Sequence, residues 1–234
     1  MTTKSIRFST ILLVILLGSF TAVSAQSRQK NAKSQTTRRN SKIENIQLFN
    51  GKDLSNWLFY LKDQSVDPAS VFTVQNGVIH ITGNPFGYMR TKDTYSDYRL
   101  HVEWRYPVEA TNSGVFIHAT PPDAIWIKCF ECQLAAGKAG DFICMNGTDM
   151  NERKDKTKGA VTKMAASSEK PVGEWNTMEV IALENTLEVH INGVLQNKGT
   201  AISSNSGHIC LQSEGKDIEF KNVYLTNLKK SGRR

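Results

Sequence analysis

Long apolar runs are scarce in this 234-residue chain. The clearest one, residues 11–20, falls well short of the roughly 20 residues that a transmembrane helix needs. A sustained apolar period of 3.6 is missing too, which argues against a helical fold. No internal repeat is visible, so a solenoid or propeller has no support. Cysteine is confined to Cys129, Cys132, Cys144 and Cys210, and a folded part of about 185 residues buries a sizeable core without staples. Positive charge is also missing where it would count. The chain carries 29 Lys and Arg against 22 Asp and Glu. Twelve of the basic residues and one acidic residue, Glu44, fall in segments 1–44 and 229–234, which leaves 17 basic against 21 acidic residues between them. A nucleic-acid-binding domain carries its positive charge on the folded surface, so no nucleic-acid partner is expected. The basic ends suit a solvated tether near an anionic cell surface.

The N-terminus reads as a secretory signal. Lys4 and Arg7 precede the apolar run, and Val23-Ser24-Ala25 supplies the small residues of a cleavage site, placed after Ala25. This predicts a signal peptide over 1–25 and a secreted or periplasmic location. No Cys follows the run, so a lipid anchor is not indicated, and the mature domain is not expected to insert in a membrane. Residues 26–43 hold Arg28, Lys30, Lys33, Arg38, Arg39 and Lys42 among small polar residues, which predicts a disordered basic tether. One domain over 44–228 and a basic tail over 229–234 complete the layout.

The rhythm of the domain is that of strands. From 98 to 106 the even positions Tyr98, Leu100, Val102, Trp104 and Tyr106 are apolar, and the odd positions Arg99, His101, Glu103 and Arg105 are polar. Period two over nine residues means one buried and one wet face. The stretch 127–134 behaves similarly, with Phe130, Cys132 and Leu134 on one face and Glu131 and Gln133 on the other. Gln75-Asn76-Gly77 and Asn192-Gly193 mark two hairpins, joining strands 71–74 to 78–81 and 186–191 to 194–195. Further strands are expected over 114–119, 177–183, 208–212 and 218–225. Many short strands with Gly/Asn turns predict an all-β, two-sheet antiparallel sandwich or jelly roll. Residues 146–173 break the rhythm and read as an exposed loop or insertion, of the kind that shapes a site or stays disordered.

The wet faces carry the chemistry. One strand offers His101, Glu103 and Arg105, another Glu131 and Gln133, a third His208, Cys210 and Gln212. If these strands share a sheet, one face gathers carboxylates, an Arg, His and amides, a set suited to sugar hydroxyls, which need paired donors and acceptors. The bland reading is a solvated face with cross-strand ion pairs. Cys129 and Cys132 have Cys-x-x-Cys spacing, but residues three apart on a strand face opposite ways. Buried free thiols, or pairing with Cys144 or Cys210, remain open. His118, closing Val115-Phe-Ile-His118, reads first as a structural residue.

Ten motifs in order resemble one family. They include Leu48-Phe-Asn-Gly-Lys-Asp-Leu-Ser-Asn-Trp57, Gly87-Tyr-Met-Arg-Thr91, Tyr98-x-Leu-x-Val-Glu-Trp-Arg105, Asn112-Ser-Gly-Val-Phe-Ile117, Glu131-Cys-Gln133, Gly173-Glu-Trp-Asn176, Gly207-x-Ile-x-Leu-Gln212 and Ile218-Glu-Phe-Lys-Asn222. Over residues 46–228 the chain resembles the 3-keto-disaccharide hydrolase domain family. The resemblance implies a concanavalin-like jelly roll, export, and action on glycosides already oxidised at C3 by a separate dehydrogenase. It places the acidic pair on Glu103 and Glu131 with Arg105, Asn112 and Gln133 nearby, and the family often has Arg where this chain has His118; taken with the wet faces, the expected catalytic residues are Glu131, Glu103 and Arg105 and the expected substrate-binding residues Asn112, His118, Gln133 and Gln212. No cofactor is certain, and a divalent metal is left open. In the implied chemistry a base, Glu131, takes the C2 hydrogen of a 3-keto-glycoside. Glu103 with Arg105, or His118, orients the sugar or stabilises the enolate. Elimination of the C1 oxygen follows, and water adds afterwards. The alternatives are a non-catalytic carbohydrate-binding module on the same fold and a structural surface domain.

Overall fold

The computed structural model describes residues 45–228; the expected signal peptide, tether and basic tail lie outside them. In chain order the strands are β1 (Asn45–Gln47), β2 (Trp57–Leu61), β3 (Phe72–Gln75), β4 (Val78–Ile81), β5 (Gly87–Thr91), β6 (Tyr98–Arg105), β7 (Gly114–Thr120) and β8 (Lys128–Gln133). They continue with β9 (Phe142–Met145), β10 (Ala160–Val161), β11 (Asn176–Leu183), β12 (Thr186–Ile191), β13 (Val194–Thr200), β14 (His208–Ser213) and β15 (Ile218–Asn227). They form two antiparallel sheets. The eight-stranded sheet runs β13-β12-β11-β6-β15-β4-β3 with β1 beside β15, and the seven-stranded sheet runs β10-β9-β8-β7-β14-β5-β2. The expected two-sheet sandwich is what forms.

Alternation builds the core between the sheets. Tyr98, Leu100, Val102 and Trp104 of β6 are fully buried there, with Val115, Ile117, Phe130, Cys132, Ile209 and Leu211 from the other sheet. The two predicted hairpin turns adopt the left-handed backbone that such turns require: Asn76 and Gly77 at φ 51° and 76°, Asn192 and Gly193 at φ 50° and 82°.

The outer face of the seven-stranded sheet departs from the wet face expected for 127–134 and 208–212: Glu131 of β8 is buried, and the neighbouring strands are covered too. β7 is buried over six consecutive residues and β14 over its whole length. The cause is the segment 121–127, which folds back over the outer face of this sheet. Ile127 packs there with Tyr88, Phe116, Cys129, Met145 and Cys210 in a second, small core. The same segment is pinned by Asp123, which accepts a bond from Tyr88 Oη at 2.9 Å and two from Arg90 Nε and Nη2, each at 2.9 Å. Outward-pointing positions such as Cys210 and Gln212 are therefore buried rather than wet.

The four cysteines are free and buried. Cys129 sits in the small outer core and Cys132 in the main one, as opposite strand faces require. Residues 146–173, expected as an exposed loop or insertion, are an insertion exposed along most of its length and anchored at a few points. Thr148, Met150 and Val161 are buried, and β10 pairs with β9. Ser168 Oγ donates to the Ile191 carbonyl at 2.7 Å, and Gln196 Nε2 donates to the Ala166 carbonyl at 3.1 Å. Few apolar residues are needed because hydrogen bonds to β12 and β13 hold the insertion.

Candidate functional site

The site is built on the outer face of the seven-stranded sheet. Glu131 lies on β8, opposite Phe116 of β7 and Ile143 of β9, and is only 4% exposed. Its carboxyl fits because Gly114 on β7 has no side chain: a Cβ there would overlap Glu131 Oε1 and come within 2.8 Å of Cδ. Glu131 Oε1 has no hydrogen-bond partner. Burial, and secondarily the neighbouring Glu214 charge, push this carboxyl up to about 8, because a charge is costly where water cannot reach it. The carboxyl opens on a cavity of about 370 Å³ lined by Asn112, Trp126, Glu131, Gln133, Ile143 and Glu214, among others. Small-ligand sites begin at about 300 Å³. A hollow of about 220 Å³ beside β1, lined by Asn56, Thr91 and Tyr95 among others, holds no such buried unpaired acid.

The polar groups around Glu131 are oriented by the backbone. Gln133 Oε1 accepts from the Leu134 and Ala135 N–H groups at 2.9 and 2.7 Å. Its oxygen is thereby engaged, and its NH₂ is left as a donor for the cavity. Glu214 follows β14; burial raises its carboxyl above the ordinary value, while hydrogen bonds from Asn112 and Gln212 oppose the rise. Asn112 Oδ1 and Gln212 Oε1 are buried without partners. Two carboxyls shifted toward their protonated form by burial, a fixed amide donor and unpaired acceptors make a site ready for a hydroxyl-rich ligand.

A family profile described as the 3-keto-alpha-glucoside-1,2-lyase-like domain matches residues 44–226. The chain belongs to this family. It is a carbohydrate-active protein on a concanavalin-like jelly roll. A search of curated proteins finds no match. Among solved structures, the chain is similar to a provisionally assigned glycosyl hydrolase of Parabacteroides distasonis. The identity is 22% and the TM-score 0.57, over 79% of this chain and 94% of that one. It is also similar to a carbohydrate-binding module, CBM66, of Bacillus subtilis (9% identity, TM-score 0.55, 74% and 96% covered). A third relative in fold is a Bacillus licheniformis beta-glucanase (13%, TM-score 0.51, 80% and 98%). At these identities the likeness is one of fold.

The fold does not gather all the side chains expected at one site. Glu131, Gln133 and Asn112 line the cavity, and Gln212 reaches it through Glu214. Glu103 and Arg105 do not: they lie on the outer face of the other sheet, with the whole sandwich, sheets about 10 Å apart, between them and Glu131. Alternation in β6 correctly turns them outward, but period two carries no information on which sheet a strand joins. β6 pairs with β11 and β15. There Glu103 Oε1 accepts from Asn222 Nδ2 at 2.7 Å, and Lys221 Nζ lies 3.4 Å from its other oxygen. Arg105 Nε donates to Glu219 Oε2 at 2.5 Å, and its guanidinium lies 4.6 Å over the Trp175 ring. These are satisfied cross-strand partners.

His118 is also outside the site. At φ 52°, where the β7 register shifts against both neighbours, its ring turns toward Tyr98 and Phe130, with centroids 5.8 and 6.5 Å away. Its Nδ1 lies 2.9 Å from the Ser204 carbonyl, and burial lowers it to about 4. His118 is buried between the sheets and is not among the residues that line the cavity. Among the lining residues that escaped sequence reasoning are Glu214 and Trp126. Glu214 continues the parity of 208, 210 and 212 one step past the strand. Trp126 is a lone tryptophan in a Pro-rich loop, with no period to place it. Among the described residues, no three His, Cys, Asp or Glu side chains form a metal-ligand cluster.

Proposed function

We propose that the chain cleaves 3-keto-glycosides by elimination across C1 and C2, with Glu131 as the base. The observation that carries this reading is the buried, unpaired Glu131 carboxyl on the floor of a sugar-sized cavity. A ketone at C3 acidifies the C2 hydrogen. Glu131 takes that proton, and the C–H electrons move onto O3 as an enolate. The Gln133 NH₂, fixed by its engaged oxygen, donates to O3 as charge develops there. The enolate then collapses: a C1=C2 double bond forms, the C1–O bond breaks, and the departing oxygen takes a proton from Glu214. Burial keeps Glu214 protonated to higher pH than an ordinary glutamate, which suits an acid. The products are an unsaturated 3-keto sugar and a free alcohol, and water can add to the former.

On this reading a separate dehydrogenase supplies the C3 ketone. The protein works outside the cytoplasm, as the signal-like N-terminus suggests; N-terminal sequencing of exported protein should begin at Gln26.

The decisive assay compares matched glycosides with and without the C3 ketone. Glu131→Gln should fold and lose about 10²–10⁴-fold in kcat, and a C2-deuterated substrate should react more slowly with the wild type if proton removal limits the rate. A base that must be ionised gives a rate that climbs as pH rises through about 8; a rate falling over that range would make Glu131 the acid instead. Cleavage of the unoxidised glycoside at equal rate would remove the ketone from the mechanism. Saturable binding with no cleavage of either would leave a carbohydrate-binding module.

A further inference from the structure

Resting on that reading of the cavity, we infer that Trp126 forms its leaving-group subsite and takes a ring with an apolar face, either a pyranose or an aryl group. Trp57 and Trp104 are buried in the main core. Trp175 carries Arg105 at 4.6 Å and Lys221 at 4.0 Å over its ring. Trp126 has neither role. It is 52% exposed, and its ring contact is one edge-on approach to Phe86, with centroids 6.2 Å apart at 64°. A half-exposed indole forgoes much of the stabilisation its burial would give.

The segment carrying it is nevertheless held firmly. Asp123, three residues earlier, takes the paired bonds of Arg90 and the Tyr88 hydroxyl, and the Arg90 side chain is only 14% exposed. A bidentate, partly buried ion pair to this surface segment, with the Asp123 side chain 30% exposed, fixes where Trp126 stands. Trp126 stands on the wall of the cavity whose floor is Glu131.

The division of the lining indicates which part of the ligand meets the indole. Glu131, Gln133, Asn112 and Glu214 supply the polar groups that the reacting, hydroxyl-bearing ring needs. Trp126 supplies a flat apolar surface at the solvent side, where the group released from C1 departs. A pyranose presents C–H groups on its faces and an aryl ring its π-surface; both stack on indole, whereas a methyl leaving group cannot.

The test uses 3-keto-glucosides with methyl, phenyl and glucosyl leaving groups. Trp126→Ala should lower kcat/KM about tenfold or more on one or both ring-bearing substrates and by no more than about threefold on the methyl substrate. Trp126→Phe should recover part of the loss. A phenyl-only effect names an aryl group, and a glucosyl-only effect a second sugar. Equal loss on all three, or on none, overturns the inference. The same three compounds titrated calorimetrically into Glu131→Gln read the subsite without turnover. A ring-bearing ligand should bind about tenfold tighter than the methyl one, and the difference should vanish in Glu131→Gln/Trp126→Ala. If the wild type cleaves no 3-keto-glycoside, the elimination reading fails, and the binding difference still decides the role of Trp126.

Discussion

Glu131→Gln should stabilise the protein while it inactivates it, and the gain should depend on pH. In the unfolded chain the carboxyl ionises near 4.5; in the folded chain it stays protonated up to about 8. Between those values the unfolded state releases a proton that the folded state keeps, so wild-type stability falls with rising pH and levels off above about 8. Each unit of displacement is worth about 1.4 kcal/mol, so the full displacement amounts to about 5 kcal/mol. Gln keeps the shape and never ionises, so this loss is absent from the variant. For a domain of this size 1 kcal/mol moves Tm by about 2–4 °C, so the advantage of the variant at pH 8 should exceed its advantage at pH 5 by about 10 °C. Thermal melts followed by circular dichroism at the two pH values measure it. Any fixed cost of burying the amide cancels in the comparison. A Tm gap that stays constant between pH 5 and pH 8 would refute the burial argument, and with it the view of Glu131 as a desolvated base.

Other substitutions separate the two faces of the sandwich. Gly114→Ala places a methyl group against Glu131 Oε1 and should cut kcat at least about tenfold, read by the same cleavage assay; unchanged kcat would mean the carboxyl has room to move. Glu103→Gln, on the opposite face, should leave kcat/KM within about twofold and cost no more than about 1 kcal/mol in denaturant melts, the scale of an exposed ion pair; a large loss of activity would bring Glu103 back into the mechanism. His118 is held neutral, to about 4 against 6.5 when unfolded. In the Glu131→Gln background, stability should therefore drop as pH falls from 6.5 to 4, by up to about 3 kcal/mol, and a flat profile there would contradict its burial.

The fold was legible where one face of a strand meets the core and the other meets water. Residues 98–106 alternate because β6 has that environment, and Asn-Gly pairs announced two hairpins. Legibility failed where the environment is two-sided: β7 and β14 are buried by the main core on one face and by the 121–127 segment on the other, and although the apolar run Val115-Phe116-Ile117 is compatible with that, it does not say which segment makes the cover. β2, β5 and β9 gave no clear period and were not anticipated. The site was half legible. Parity placed Glu131, Gln133 and Gln212 on one face correctly, because β8 and β14 do share a sheet. Parity treated Glu103 and Arg105 identically, because sheet membership is decided by long-range pairing. Glu214 and Trp126 lie beyond strand ends, where period two no longer applies.

The double burial of β7 and β14 also sets a hierarchy of motion. Amides in strands covered on both faces exchange with solvent only through large-scale opening, whereas surface segments open locally at lower cost. The floor of the cavity, Gly114 with Glu131 beside it, thus belongs to the most protected layer of the molecule, and the wall carrying Trp126, pinned at Asp123, to the outer layer that covers it. In a hydrogen-exchange experiment, a bound glycoside should slow exchange in segment 121–127 and leave the already slow amides of β7 and β14 unchanged.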